Sequence, residues 1–146
     1  MRTSQQGLEI IKAFEGYSPT PYLCPGGYWT IGVGHLITAA DAKKFAGGIT
    51  EEMAEALLRQ DVRVAERAIA RLIKTPLTQN QFDALVSFTF NLGAAALQRS
   101  SLRQAINRRE FDAVPAQLMR WVWAGGRKLP GLVRRRAAEG KLFASV

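Results

Sequence analysis

Apolar residues recur at helical spacing through most of the chain, interrupted by one stretch where they do not. Leu8 and Ile11 stand at i and i+3 behind Thr3 and Ser4, either of which can cap a helix, and Gly16 marks its end. From Tyr17 to Ile37 the order changes to YSPTPYLCPGGYWTIGVGHLI, in which Pro19, Pro21 and Pro25-Gly26-Gly27 separate short aromatic and β-branched pieces. That pattern predicts a small hairpin sheet. Helical spacing resumes near Asp41 and pauses at Gly47-Gly48. Thr50 then caps a long helix from Glu51 to about Ile73, with Ala54, Leu57, Leu58, Val62, Ala65, Ile69 and Leu72 along its buried stripe.

After Pro76, Thr78 and Gln81 form a capping box with Leu77 and Phe82 as its hydrophobic staple, so a helix runs to Asn91 or Leu92 and stops at Gly93. Ser101 with Gln104 repeats the box for a helix ending near Asn107. Another helix is expected over Phe111 to Trp123, then a loop bracketed by Gly125-Gly126 and Pro130-Gly131, then a last helix over about Leu132 to Phe143. Phe82, Leu85, Phe88, Leu92, Trp121 and Trp123 read as the core of this bundle. The order of elements is that of an α+β domain in two lobes. A sheet-containing lobe covers about 14–60, a helical lobe combines 1–13 with 74–146, and the 51–73 helix links them.

Composition narrows the class. A chain of 146 residues, 47% hydrophobic and 22% charged, is long enough for one domain with its own core. Cys24 is the single cysteine, which excludes an intrachain disulfide, and His35 is the single histidine, which argues against a zinc site; no metal is expected. The N-terminus lacks a basic flank followed by an apolar stretch, and no apolar run approaches the ~18 residues of a membrane span. Residues 1–98 carry nine charges of each sign, whereas 99–146 carry eleven basic and three acidic, so the whole net charge of +8 lies in the last third. A polyanionic partner fits that asymmetry: nucleic acid, an anionic membrane or a cell-wall polymer. No helix clusters base-reading side chains on one face, so specific nucleic-acid binding is not expected.

Glu15 breaks two local rules at once. It falls in angle between Leu8 and Ile11 on an apolar stripe, and it stands at a helix C-terminus, where the macrodipole disfavours negative charge. Both effects favour the protonated acid, the form a general acid requires. Asp61 lies on the buried stripe of the long helix and needs a partner; His35 is the candidate, in an imidazolium–carboxylate contact that weakens on acidification. Gly32-Val33-Gly34 belongs to no phosphate-loop pattern and reads as a turn. Arg134, Arg135 and Arg136 spread over ~200° of a helix and cannot all serve one patch.

Glu15, eight residues, Cys24, five residues and Thr30, followed by Ile31-Gly32-Val33-Gly34-His35, resembles the phage-type lysozymes, the bacteriophage endolysins of glycoside hydrolase family 24. The likeness continues through LTQNQFDALVSFTFNLG at 77–93 and WAGGRKLPGLVRRRAAE at 123–139, nearly the whole chain. The resemblance implies a lysozyme-like fold with a cleft between its lobes. It also implies hydrolysis of the β-1,4 bond between N-acetylmuramic acid and N-acetylglucosamine, with Glu15 protonating the glycosidic oxygen. Where similar enzymes have Asp at the position of Cys24, that carboxylate assists the attacking water, and the residue matching Thr30 helps to hold it. A thiol with an ordinary pKa of about 8.5 is mostly neutral at pH 7 and gives weaker support unless its site depresses that value. Base, water-positioning group and nucleophile therefore all stay open for Cys24, as do inverting and retaining outcomes.

By the same resemblance Leu36, Phe90, Ser101 and Gln117 fall at substrate-contacting positions, His35 and Asp61 pair in support, and Arg135 or Arg136 turns inward toward the surroundings of Glu15. Tyr28, Trp29 and Asn91 are near enough in sequence to line a saccharide groove. The resemblance implies no cofactor and a peptidoglycan substrate. It further implies a monomer that depends on a holin-type permeabiliser, held in the host cytoplasm until the membrane opens and acting afterwards in the periplasm or cell wall. The competing readings are a lytic transglycosylase and a basic nucleic-acid- or membrane-binding module.

Overall fold

The computed structural model describes residues 1–146. Ser4 opens the first helix by accepting the Gly7 amide on its Oγ at 3.1 Å. Helix α1 (Gln5–Glu15) ends where Gly16, at φ +77°, returns its amide to the Lys12 carbonyl at 2.8 Å. Strands β1 (Ser18–Leu23), β2 (Trp29–Gly32) and β3 (His35–Leu36) then form one antiparallel sheet in that order. Its register sets Tyr22 opposite Thr30, and Thr30 opposite Leu36. A 3₁₀ turn over Ala39–Asp41 leads into the short α2 (Ala42–Phe45). Thr50 Oγ1 accepts the Met53 amide at 3.1 Å and starts α3 (Glu51–Leu72).

The chain divides into two units, Leu8–Arg63 and Met1–Gly7 with Val64–Val146. In the first, Ile31, Phe45, Ile49 and Ala54 bury one another, with Ile37 and Leu57 packed against them. Both boundaries cut helices, and α1 beyond Gly7 belongs with the sheet, whereas its pattern assigned residues 1–13 to the helical lobe. The reason is local: Lys12 Nζ bonds Glu55 on α3 at 2.9 Å, and Glu15 lies over Gly34.

The second unit is built around α4 (Gln79–Leu92), whose residues Phe82 through Thr89 are buried on every side. Its capping box forms as expected: the Gln81 amide donates to Thr78 Oγ1 at 3.2 Å, and the Thr78 amide donates to Gln81 Oε1 at 2.9 Å. Helices α5 (Ala94–Arg99), α6 (Ser101–Asn107) and α7 (Val114–Leu118) follow, then a hairpin of β4 (Trp123–Ala124) and β5 (Arg127–Lys128), then α8 (Pro130–Ala144). Helix α4 packs on α8 and α5, and α7 packs on α8 and α6. The N-terminal residues dock here through polar bonds, the Thr3 amide and hydroxyl each donating to Glu66 Oε2 at 2.7 Å and the Ser4 amide to Asp83 Oδ1 at 3.0 Å.

Three expectations change. Helix α5 has no counterpart in the pattern, and the cap of α6 is Ser100, whose Oγ accepts the Arg103 amide at 3.0 Å, with Ser101 the first helical residue. The helix expected over Phe111–Trp123 is a 3₁₀ turn (Phe111–Ala113) and α7, with Pro115 in the first turn. Beyond it, Gly125 and Gly126 at φ +59° and +76° form the turn of a hairpin, where positive φ at both central positions suits the strand twist. Trp123 is therefore 61% exposed on β4 and is not core.

Candidate active site

Glu15, Cys24, Thr30, His35, Leu36 and Asp61 all lie in the sheet unit, where the Thr30 hydroxyl bonds the Cys24 sulfur and the charges of Glu15 and Cys24 both act on Tyr22. Glu15 is the last residue of α1 and half-buried. Its carboxyl rests against Gly34: a Cβ on that glycine would stand 3.2 Å from Glu15 Oε1, and Gly34 has φ +69°. The turn between β2 and β3 thus needs glycine twice over, for its backbone angle and for the approach of the carboxyl.

Cys24 sits where β1 turns into β2. The Cys24 amide donates to the Tyr28 carbonyl at 3.0 Å and the Gly27 amide to the Cys24 carbonyl at 2.8 Å, closing a tight loop around the sulfur. Hydrogen bonding from the Tyr28 main chain and then from the Thr30 hydroxyl holds the thiol below its ordinary range. Desolvation opposes this, and the Gly26 and Gly27 main chain adds smaller contributions in the lowering direction. A concavity of main-chain amides is an anion site, so this loop favours thiolate. Thr30 is 2% exposed and its Oγ1 also donates to the Tyr28 carbonyl at 3.0 Å. One hydroxyl proton thus has two acceptors, a carbonyl and a sulfur.

Tyr22, which the residue pattern marked only as a strand former, belongs to this group. It is opposite Thr30 in the register, and burial, then the charges of Glu15 and Cys24, push its phenol up. Burial beside these charges keeps the phenol neutral. His35 Nδ1 and Asp61 Oδ2 stand 2.7 Å apart, as expected, and the imidazole meets Phe45 edge-on at 5.5 Å. Burial raises the Asp61 carboxyl, and the hydrogen bond and charge of His35 offset this only in part. Leu36 is 57% exposed at the sheet end.

Phe90, Ser101, Gln117, Arg135 and Arg136 lie in the helical unit. Ser101 Oγ bonds Gln117 Oε1 and accepts Arg120 Nη1 at 2.8 Å, so two of the expected substrate contacts touch each other. Phe90 is half-buried near the end of α4. Arg135 and Arg136 are both buried, and Arg134 alone of the three is exposed. Glu139, which the sequence did not single out, explains this. Its carboxylate is fully buried, 2.6 Å from Arg136 Nε and 3.4 Å from Arg135 Nε, and accepts Ser87 Oγ at 2.5 Å. Asn91 Oδ1 accepts Arg136 Nη2 at 2.8 Å, so this asparagine serves the buried network. No group of His, Cys, Asp and Glu side chains could hold a metal ion.

A family model described as phage lysozyme matches residues 12–139. The endolysin of Acyrthosiphon pisum secondary endosymbiont phage 1 is 40% identical over 151 residues, covering 99% of each chain. Among solved structures, a P22 lysozyme mutant superposes with a TM-score of 0.90 at 34% identity, over 99% of both chains. The muramidase domain of SpmX from Asticaccaulis excentricus gives 0.88 at 39% identity, also over 99% of both.

Proposed function

This chain belongs to the phage lysozyme family and is a glycoside hydrolase of the endolysin type; from that premise we propose that Glu15, Cys24 and Thr30 cut the β-1,4 bond between N-acetylmuramic acid and N-acetylglucosamine. The observation that carries the assignment is the loop geometry that lowers the Cys24 thiol beside a carboxyl braced on Gly34. Glu15 gives its proton to the glycosidic oxygen, because an alkoxide is too poor a leaving group to depart unaided. Positive charge then builds at the anomeric carbon, and the Cys24 thiolate supplies the opposing negative charge that a carboxylate gives in similar enzymes. Thr30 and Cys24 together hold the attacking water. His35 and Asp61 fix the sheet against α3; Arg135, Arg136 and Glu139 fix α8 against α4.

Glu15→Gln keeps shape and removes the proton. Turbidity of chloroform-permeabilised cells should then fall at the buffer rate, and clearing at the parent rate would refute the assignment. Leu36, Phe90, Ser101 and Gln117 are the substrate contacts of this reading, peptidoglycan the substrate, and a holin-type permeabiliser the functional partner of a monomeric enzyme. No helix is long and apolar enough to cross a membrane. The reading therefore has the protein wait in the host cytoplasm, and lysis without chloroform or a co-expressed permeabiliser would count against it.

A further inference from the structure

Every residue from Trp123 to Gly131 is exposed, a run that takes in the β4–β5 hairpin and the start of α8. Two of these side chains, Trp123 and Leu129, are of the kind that cores usually take. The hairpin is firmly rooted, because the Leu129 amide donates to the carbonyl of buried Val122 at 2.9 Å. Trp123 pairs with Lys128 and Ala124 with Arg127. Residues directly opposite in an antiparallel pair share a face, so the indole stands beside an ammonium. Arg134 leans back to the base of the hairpin, its guanidinium 3.8 Å from where a Cβ on Gly131 would stand. Between Asp112 and Glu139 the chain has no acidic residue, and Glu139 is buried under Arg135 and Arg136. The helical unit as a whole carries fifteen basic and five acidic residues, and three of those acids, Glu66, Asp83 and Glu139, are buried. With two of the three consecutive arginines of α8 taken up inside, the hairpin rather than that helix presents the outward charge together with apolar side chains.

We propose that the β4–β5 hairpin docks the chain on an anionic phospholipid surface, with Trp123 and Leu129 entering the headgroup layer and Arg127, Lys128 and Arg134 meeting lipid phosphates. Tryptophan settles at the level of lipid headgroups, where its ring is apolar on one side and wet on the other, and basic side chains beside it are drawn to the negative leaflet. A phosphate polymer would satisfy the three cations and leave indole and leucine in water. A neutral apolar surface would do the reverse. Only a charged bilayer surface meets both halves of the hairpin at once. No residue of the proposed catalytic group takes part, so the inference goes beyond the muramidase reading and stands or falls without it.

The test is co-sedimentation of the full chain with vesicles of phosphatidylglycerol and phosphatidylcholine in equal parts, and with vesicles of phosphatidylcholine alone. Binding should favour the anionic vesicles and weaken with added salt. Each cation near such a surface contributes about fivefold, so Arg127→Gln/Lys128→Gln should bind about 25-fold more weakly. Arg67→Gln/Arg71→Gln removes the same charge from exposed positions on α3 in the same unit and should lose far less. Phosphatidylglycerol with brominated acyl chains should quench the fluorescence of the parent; Trp123→Phe should abolish that quenching, and Trp29→Phe should leave it. All these side chains are exposed, so the changes leave the fold in place. Equal losses in the two double variants, quenching that survives Trp123→Phe, or no preference for anionic vesicles would overturn the proposal. So would a DNA duplex that binds as tightly as the vesicles and loses as much in Arg127→Gln/Lys128→Gln, since phosphate alone would then be the partner. Glu15→Gln protein should bind vesicles as the parent does, which keeps this result separate from the clearing assay.

Discussion

Gly34→Ala separates backbone strain from displacement of the Glu15 carboxyl. At φ +69° a side chain costs about 1–2 kcal/mol relative to glycine, which in a domain of this length lowers the melting temperature by about 2–8 °C. Gly125 is the control. It has φ +59° and nothing within 4 Å of an added Cβ, so Gly125→Ala should lose about as much stability. Only at position 34 does the new methyl also stand 3.2 Å from Glu15 Oε1, a contact the carboxyl relieves by moving away. A shift of a few tenths of an ångström at Glu15 should reduce turnover several-fold, short of the about 10²-fold of a 1 Å misplacement. The assay is a pair of measurements on each variant, a urea melt and the initial rate of turbidity loss. The expected result is two matched melts, with the rate reduced at position 34 alone. Matched melts with both rates at the parent level would mean that Gly34 does not position the acid.

Three further outcomes follow from the same geometry. Cys24 should be alkylated by iodoacetamide at pH 7 faster than a free cysteine thiol, with activity lost in step; reaction at the ordinary rate would remove the thiolate from the mechanism. Because burial raises the Asp61 carboxyl in the fold, ionised Asp61 is disfavoured there. Its contribution to stability is then full below its ordinary carboxylate range and lost as pH rises through the raised value. Urea midpoints of Asp61→Asn should consequently lack that decline, whereas a decline identical to the parent's would show that the residue titrates as it does unfolded. Attraction to His35 does fade on acidification, but the fold gains as the half-buried charge is discharged. Glu139→Gln leaves two buried guanidinium groups without their carboxylate and should cost about 3–5 kcal/mol; a midpoint within experimental error of the parent's would refute the view that this carboxylate holds the two arginines in the core.

Elements with their own punctuation were legible from the residues. Ser4, Thr50 and the Thr78–Gln81 box begin α1, α3 and α4, and Gly16 and Gly93 stop the first and third, because capping is decided by neighbours in sequence. Elements that depend on distant packing were not. Helix α5 spans six residues after a glycine, too few to show a period. Ser100 and Ser101 both satisfy a cap pattern, and the choice between them belongs to the helix start. Trp123 suggests burial by its size, yet the Gly125-Gly126 turn puts it on an exposed strand. The same division runs through the site. An apolar stripe and a helix end marked Glu15, and resemblance to the phage-type lysozymes marked Cys24 and Thr30, whereas Tyr22 becomes visible only through its register with Thr30. Glu139 resembles any solvated acid on a basic helix until its two arginines are seen folded over it.

The loop around Cys24 makes its electrostatic claim mainly with peptide groups, which every residue but proline possesses. Such a cradle offers the same amides to sulfur as it would to a carboxylate oxygen. What makes the place is the path of the polypeptide from Cys24 to Tyr28, two glycines included, more than the identity of the atom it shelters.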